Sequence, residues 1–226
     1  VYFGYRRRTA LEQFRQTLGR GRPEAEVRRT VAAAYRNLGR TAAEVLRFPV
    51  MSDREIKRRI TSDDLSDLDR LLGRGRGAIL LTGHFGNWEL LGGYVALRGY
   101  PVNFLVADIR NPEVDRLLTA CRSRWGVRIV RSGRAIRPIL ECLRRNQCVA
   151  ILPDQDAGRD GLFHEFLGRT ASVNPGPAAI AVRTGAPIIP GFLIRRGAGR
   201  YHLELPGALD PEDYRGARED AVGELA

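Results

Sequence analysis

The sequence predicts an α/β fold: a mainly parallel mixed sheet flanked by helices, with an N-terminal helical segment in front of it. Three observations lead there. From about residue 75, short apolar runs alternate with helical stretches, the order that places parallel strands between covering helices. The runs themselves are four to eight residues long and are bounded by Gly, Asn or Pro, too short for buried helices. Residues 1–60 lack such runs and carry a 3.6-residue apolar period instead. The expected division is therefore a helical segment over 1–60, part of the same unit, and an α/β domain over 61–226.

In the helical segment, Pro23 is a favourable first-turn residue, and Val27, Val31, Tyr35, Leu38, Ala42 and Val45 follow close to one helical face. Pro49 stops that helix. Ser52 with Glu55 three residues on reads as a capping box for a second, short helix. Arginines 28, 29, 36, 40 and 47 fall largely off the apolar stripe, as a solvated face or a membrane-surface face would place them.

Beyond residue 75, "AILLT" (78–82) reads as a buried strand followed by a helix to about residue 98. "VNFLVA" (102–107) is a second strand, and Asn111-Pro112 opens a helix to about Trp125. "VRIV" (128–131) is a third strand, with Ser132 capping a helix to about Arg145. "CVAIL" (148–152) is a fourth, ending at Pro153; a polar loop then runs to about residue 173, and Asn174-Pro175 opens a short helix. "PIIPGFLI" (187–194) and "YHLEL" (201–205) are expected to complete the sheet. "GRGRG" (73–77) lacks a following G-K-[ST] and reads as a turn.

With 226 residues and ordinary apolar and charged fractions, the chain is globular. Its charge is not ordinary: net +11 at pH 7, almost all of it arginine, with Lys57 the only lysine. That balance calls for an acidic partner, whether nucleic acid, an anionic membrane surface or an acidic protein. Nucleic acid is disfavoured, since the chain has no helix-turn-helix, zinc or RNA-recognition pattern and its arginines are dispersed. Cys121, Cys142 and Cys148 show no C-x-x-C spacing and read as reduced, mostly buried thiols. No window of about 18 apolar residues exists to span a bilayer. The opening "VYFGYRRR", aromatics followed by arginines, reads as the cytoplasmic border of a membrane segment upstream.

The chemistry concentrates in "AILLTGHFGNWELLGG" (78–93). Ligands of open α/β sheets bind beyond the carboxyl ends of the strands, where both His84 and Asp154 fall. An imidazole is suited to proton transfer near neutral pH, and a carboxylate on its second nitrogen fixes the tautomer. Glu89, one turn into the following helix, is the expected carboxylate. Gly83 and Gly86 let the backbone approach a ligand closely. With no serine or cysteine beside it, such a dyad activates a hydroxyl brought by the substrate, which means acyl transfer. A hydrolase using the same dyad on water is the competing enzymatic reading.

"GHFGNWE" resembles the first block of the bacterial lipid A late acyltransferases (lauroyl/myristoyl transferases), within the H-x4-D/E glycerolipid acyltransferase superfamily. "NPEVDRLLTACRSRWG" resembles the second block, "AILPDQDAGRDGLFHEFLGRTAS" the third and "AAIAVRTGAPIIPGFLIRR" its continuation, so the likeness runs from about residue 25 to 205. The resemblance implies a glycerolipid acyltransferase-like fold and an activity transferring a fatty acyl chain from acyl carrier protein to a glycolipid hydroxyl. The acceptor it implies is a lipid A precursor, with a mannosylated phosphatidylinositol as the alternative, on the cytoplasmic face of the bacterial inner membrane. It implies His84 as general base, Glu89 as its orienting carboxylate, and Arg122 and Asp154 as residues needed for activity. Arg122 would hold a phosphate or pantetheine group or an oxyanion, and Asp154 would hydrogen-bond such an arginine; an internal ion pair bracing the sheet edge is the competing reading, compatible with the first. Substrate contacts are implied at Gly83, Asn87, Arg124 (the fallback for Arg122), Gln155, Asp156 and Arg169. No metal or cofactor is implied. His164 and His202 show no partner pattern and receive no role.

Overall fold

The computed structural model describes residues 6–131, 136–197, 199–214 and 222–223. The "VYFGY" stretch and the expected cap Ser132 lie outside the described residues. The centre is a five-stranded, all-parallel sheet of β2 (Ala78–Leu81), β3 (Val102–Val106), β4 (Arg128–Arg131), β5 (Cys148–Ile151) and β8 (Ile188–Pro190), in the order β4-β3-β5-β2-β8. Side chains alternate between its two faces. Ala78, Leu80, Phe104 and Ala150 pack with Leu68 and Leu71 of α4 (Ser66–Leu72), Leu90 and Tyr94 of α5 (Trp88–Leu97), and Cys121 of α6 (Pro112–Ser123). Ile79, Val149, Ile151 and Ile188 pack on the other face with Ile139 and Leu143 of α7 (Ile136–Arg144) and Ile180 of α8 (Gly176–Thr184). A sheet covered on both faces needs apolar residues at consecutive positions, which is why these strands read as unbroken runs. The glycine-rich 73–77 stretch is the turn into β2, with positive φ at Gly75 and Gly77.

Three expectations change. Of the apolar segment 187–205, only β8 joins the main sheet. β8 stops at Pro190, and after Gly191 the chain forms β9 (Phe192–Gly197) and β10 (Arg200–Glu204), an antiparallel pair to which β1 (Ile60–Ser62) adds in parallel. The ladder with β2 runs one residue past Pro190, where the Gly191 N–H donates to the Leu81 carbonyl at 2.8 Å, and ends there. The expected loop before residue 173 contains a hairpin, β6 (Leu162–Phe166) and β7 (Arg169–Val173), joined by Leu167 and Gly168, both at positive φ.

The third change concerns the helical segment. It contains α1 (Arg7–Gln16), α2 (Glu24–Arg47), a 3-10 turn at Phe48–Val50 and α3 (Asp53–Arg59). Ser52 Oγ accepts from the Glu55 N–H at 3.1 Å, the expected cap. Val27, Val31 and Val45 are buried, but Leu38 and Ala42 face outward; Thr41 is buried instead, with Asn37 and Glu44 half-buried beside it. The inner face of α2 turns polar in its second half because it lies against Arg195 of β9 and the backbone at Gly86. Val45, Phe48 and Met51 join the main core, where Phe48 meets the Trp125 ring at 4.6 Å between centroids. Among the described residues no helix is long and apolar enough to cross a membrane.

Candidate active site

β2 and β5 are hydrogen-bonded neighbours, with Leu81 opposite Ile151. His84 lies three residues beyond Leu81 and Asp154 three beyond Ile151, so the two loops leave the sheet side by side. His84 Nδ1 stands 2.8 Å from Asp154 Oδ1, and the His84 backbone N–H donates to Asp154 Oδ2 at 2.6 Å. One carboxylate thus grips both the ring and the main chain of the histidine. A Cβ on Gly83 would lie 2.9 Å from Asp154 Oδ2, so the glycine makes room for that grip. The acceptor-only carboxylate assigns the proton to Nδ1 and leaves the lone pair on Nε2. Both side chains are about two-fifths exposed, so a substrate has access to the pair. The Trp88 ring approaches the imidazole edge-on at 5.0 Å.

The carboxylate on His84 is therefore that of Asp154, where Glu89 was expected. Glu89 is engaged by Arg122 instead: Nε donates to Oε2 at 2.9 Å and Nη2 to Oε1 at 2.6 Å. This fork-on-carboxylate pair is only about a tenth exposed on either side, and the Arg122 guanidinium also lies over the Phe104 ring. The physical reason lies in the helix start. Residues 84–86 bend and α5 begins at Trp88, so Glu89 sits in its first turn and meets α6, which packs on the same sheet face. The expected partnership of Asp154 with an arginine does not form; Arg122 has Glu89 and Asp154 has His84.

A polar cluster behind the turn escaped the sequence reading. The Asn87 side chain, fully buried, accepts from the Leu90 N–H at 3.0 Å as the cap of α5, and its amide donates to Glu44 Oε2 at 2.8 Å. Arg195 donates to Glu44 Oε2 at 2.9 Å, to Glu44 Oε1, to Asn37 Oδ1 at 3.0 Å and to the Tyr201 hydroxyl. Thr41 Oγ1 donates to the Gly86 carbonyl at 2.9 Å, and the Asn87 N–H donates to the Leu193 carbonyl at 3.2 Å. Burial opposes the charge on Glu44, yet Arg195, Tyr201 and Asn87 outweigh it and hold the carboxyl below its ordinary value. Burial, seconded by Glu44, pushes the Tyr201 hydroxyl up to about 12. The cluster ties α2 and β9 to the turn that carries His84. Its signal in the sequence is the polar stripe Asn37, Thr41, Glu44 at helical spacing inside an otherwise apolar-faced helix.

The other expected contacts are scattered. Gly83 is at the His84–Asp154 pair, but Asn87 is sealed inside the cluster and not open to substrate. Arg124 ends α6, 3.8 Å from Asp53. Gln155 and Asp156 follow Asp154 in an exposed loop, where Asp156 accepts from the Gly158 N–H at 2.9 Å. Arg169 starts β7 and contacts Gln16 of α1. His202 has partners after all: Thr61 Oγ1 at 2.9 Å and Asp63 Oδ1 at 3.1 Å, supplied by β1 and the residue after it, which the sequence reading had not recognised as a strand.

Comparison with known proteins adds the family. Residues 2–220 match the family model described as bacterial lipid A biosynthesis acyltransferase. The chain is 29% identical over 208 residues to a phosphatidylinositol mannoside acyltransferase of Mycobacterium tuberculosis (strain CDC 1551 / Oshkosh), covering 88% of this chain and 66% of that protein. It is 27% identical over 186 residues to the protein of that name from Mycolicibacterium smegmatis (strain ATCC 700084 / mc(2)155), 79% of this chain and 61% of the relative. It is 26% identical over 179 residues to a lipid A biosynthesis acyltransferase of Haemophilus influenzae (strain ATCC 51907 / DSM 11121 / KW20 / Rd), 76% of this chain and 56% of the relative. The chain thus spans less than two thirds of the length of these relatives.

Proposed function

The chain belongs to the bacterial lipid A biosynthesis acyltransferase family, and from that membership and the geometry of the site we propose that it moves a fatty acyl chain from a thioester to a hydroxyl of a membrane glycolipid. The observation that carries the reading is the part-exposed His84 ring clamped by Asp154 through Nδ1, in a stretch without serine or cysteine. With no serine or cysteine in that stretch, the nucleophile in this reading is the substrate's own hydroxyl. Nε2 takes its proton while the oxygen attacks the thioester carbonyl. The imidazolium that forms is stabilised by Asp154, and the C–S bond breaks as the thiol leaves with that proton. A positioned base of this kind contributes about 10²–10⁴-fold. Glu89 holds Arg122 in place, leaving guanidinium N–H groups for a developing oxyanion or a phosphate.

The donor in this reading is acyl carrier protein, an acidic partner for a basic chain. The relatives' names supply two acceptors, a phosphatidylinositol mannoside and a lipid A precursor. The more extensive and more identical of the matches above carry the first name, so it is tested first. Localisation at the cytoplasmic face of the inner membrane goes with either.

The test supplies purified protein with a radiolabelled long-chain acyl carrier protein and each glycolipid in detergent, wild type beside His84→Ala. Label entering lipid only when His84 is intact is the expected result. Release of free fatty acid irrespective of acceptor would select the hydrolase reading. Parallel reactions with an acyl-coenzyme A test the donor. Near-normal turnover by His84→Ala would overturn the mechanism.

A further inference from the structure

The hairpin β6–β7 presents apolar side chains to solvent where a polar turn would be expected. Phe163 is 65% exposed, Phe166 64% and Leu167 44%. Leu167 and Gly168 form a two-residue turn with φ of 53° and 71°. Such turns favour Asn or Asp with Gly, because a left-handed backbone strains residues with larger side chains. A leucine there breaks the local rule and leaves almost half of its side chain in water. Rules are broken in this way at functional sites.

The hairpin stands against a basic neighbour. Arg20 donates to the Gly168 carbonyl at 2.9 Å and Arg169 bonds Gln16, so the tip is seated on the end of α1 and the turn after it. That turn carries Leu18, 55% exposed. Residues 6–22 contain six arginines and one glutamate. Apolar side chains projecting from an arginine-rich rim are the composition of a surface that lies in an anionic bilayer interface. Position supports this too: β6 begins eight residues after Asp154, on the chain that leaves the carboxyl end of β5. The hairpin thus continues the loop that carries Asp154, and the Ala157 N–H of that loop donates to the Ser172 carbonyl of β7 at 3.3 Å.

We propose that Phe166 and Leu167 at the hairpin tip, with Leu18 and the arginines of residues 6–22 beside them, insert into the headgroup region of an anionic lipid bilayer and seat the His84–Asp154 pair on the membrane surface. The proposal rests on the membrane-glycolipid reading above for its purpose, and its test does not need acyl transfer.

The experiment is flotation of the protein with phosphatidylcholine vesicles containing roughly a third phosphatidylglycerol, for wild type, Leu167→Asn and Phe166→Asp/Leu167→Asp. Leu167→Asn supplies a residue the turn favours, so its melting temperature is expected to equal or exceed that of wild type. Expected are a several-fold loss of vesicle binding for Leu167→Asn and a loss of at least ~10-fold for the double variant. Vesicles of phosphatidylcholine alone are expected to bind wild type weakly. Unchanged binding by the folded double variant would overturn the proposal. So would unchanged vesicle binding with weakened binding to acyl carrier protein, which would make the rim a protein-docking surface. A chain inactive as an acyltransferase but bound through this hairpin would sink the function and leave the docking standing.

Discussion

His84 has two candidate carboxylates, one five residues on in sequence and one seventy residues away, and the distant one holds it. Hydrogen bonds to both the ring and the main chain fix the imidazole in one orientation, which a side chain reaching back from the next helix would not do. Asp154→Asn keeps the shape but can no longer oblige Nδ1 to carry the proton. Its turnover is expected to fall by about 10²–10⁴-fold, with the melting temperature little changed because the pair is exposed. Glu89→Gln behaves differently. It strands a buried guanidinium, a loss of about 3–5 kcal/mol, visible as a lower denaturant midpoint before any assay is run. A variant Glu89→Gln as stable as wild type would show that Arg122 does not depend on this partner.

The turn between β2 and α5 is held from three sides: by Asp154 in front, by Thr41 and Glu44 of α2 behind, and by the Leu193 carbonyl of β9 beneath. Gly86 has φ of 62°, and a Cβ there would lie 1.9 Å from the Leu193 carbonyl oxygen. Gly86→Ala must move backbone against backbone and is expected to cost more than ~2 kcal/mol, measured by denaturant unfolding. Glu44 gives the cluster a pH signature. Its folded value lies below the ordinary 4.5, so its stabilising contribution is complete above 4.5 and lost as pH falls through the folded value. The melting-temperature gap between wild type and Glu44→Gln is therefore expected to hold steady from about pH 7 to about pH 5 and to narrow below that. A gap independent of pH would mean that Glu44 is not charged in the fold.

Across the whole molecule, both faces of the sheet are covered, and the three thiols report on that covering. Cys121 and Cys148 are buried and Cys142 is half-exposed. Burial pushes the Cys148 thiol up to about 12, so thiolate is scarce there at neutral pH. A thiol reagent is expected to modify Cys142 in the native protein and the other two only on global unfolding, read by mass spectrometry over time. Rapid native labelling of Cys148 would mean that the start of β5, the central strand, opens locally.

Most of the architecture was legible in the sequence. Strands β2 to β5 and the helices between them follow from apolar runs, Asn-Pro starts and glycine stops, because local sterics and burial on two faces act on neighbouring residues. Where the pattern failed, a distant contact had overridden it. Arg195 drew the polar stripe of α2 inward and left Leu38 and Ala42 outside. β10 paired with β1, some 140 residues before it, in a second sheet, and the polar loop paired with itself as a hairpin.

The sequence by itself determined that His84 and Asp154 each stand a few residues past the end of a buried strand, the place where an open parallel sheet binds its ligands. Only the tertiary structure decided that β2 and β5 are neighbours in register, so that equal offsets of three residues bring imidazole and carboxylate to 2.8 Å. Strand order is set by how helices pack across the sheet, and no local spacing in the chain encodes it. The same packing turned Glu89 toward Arg122 on a neighbouring helix and away from the histidine five residues before it.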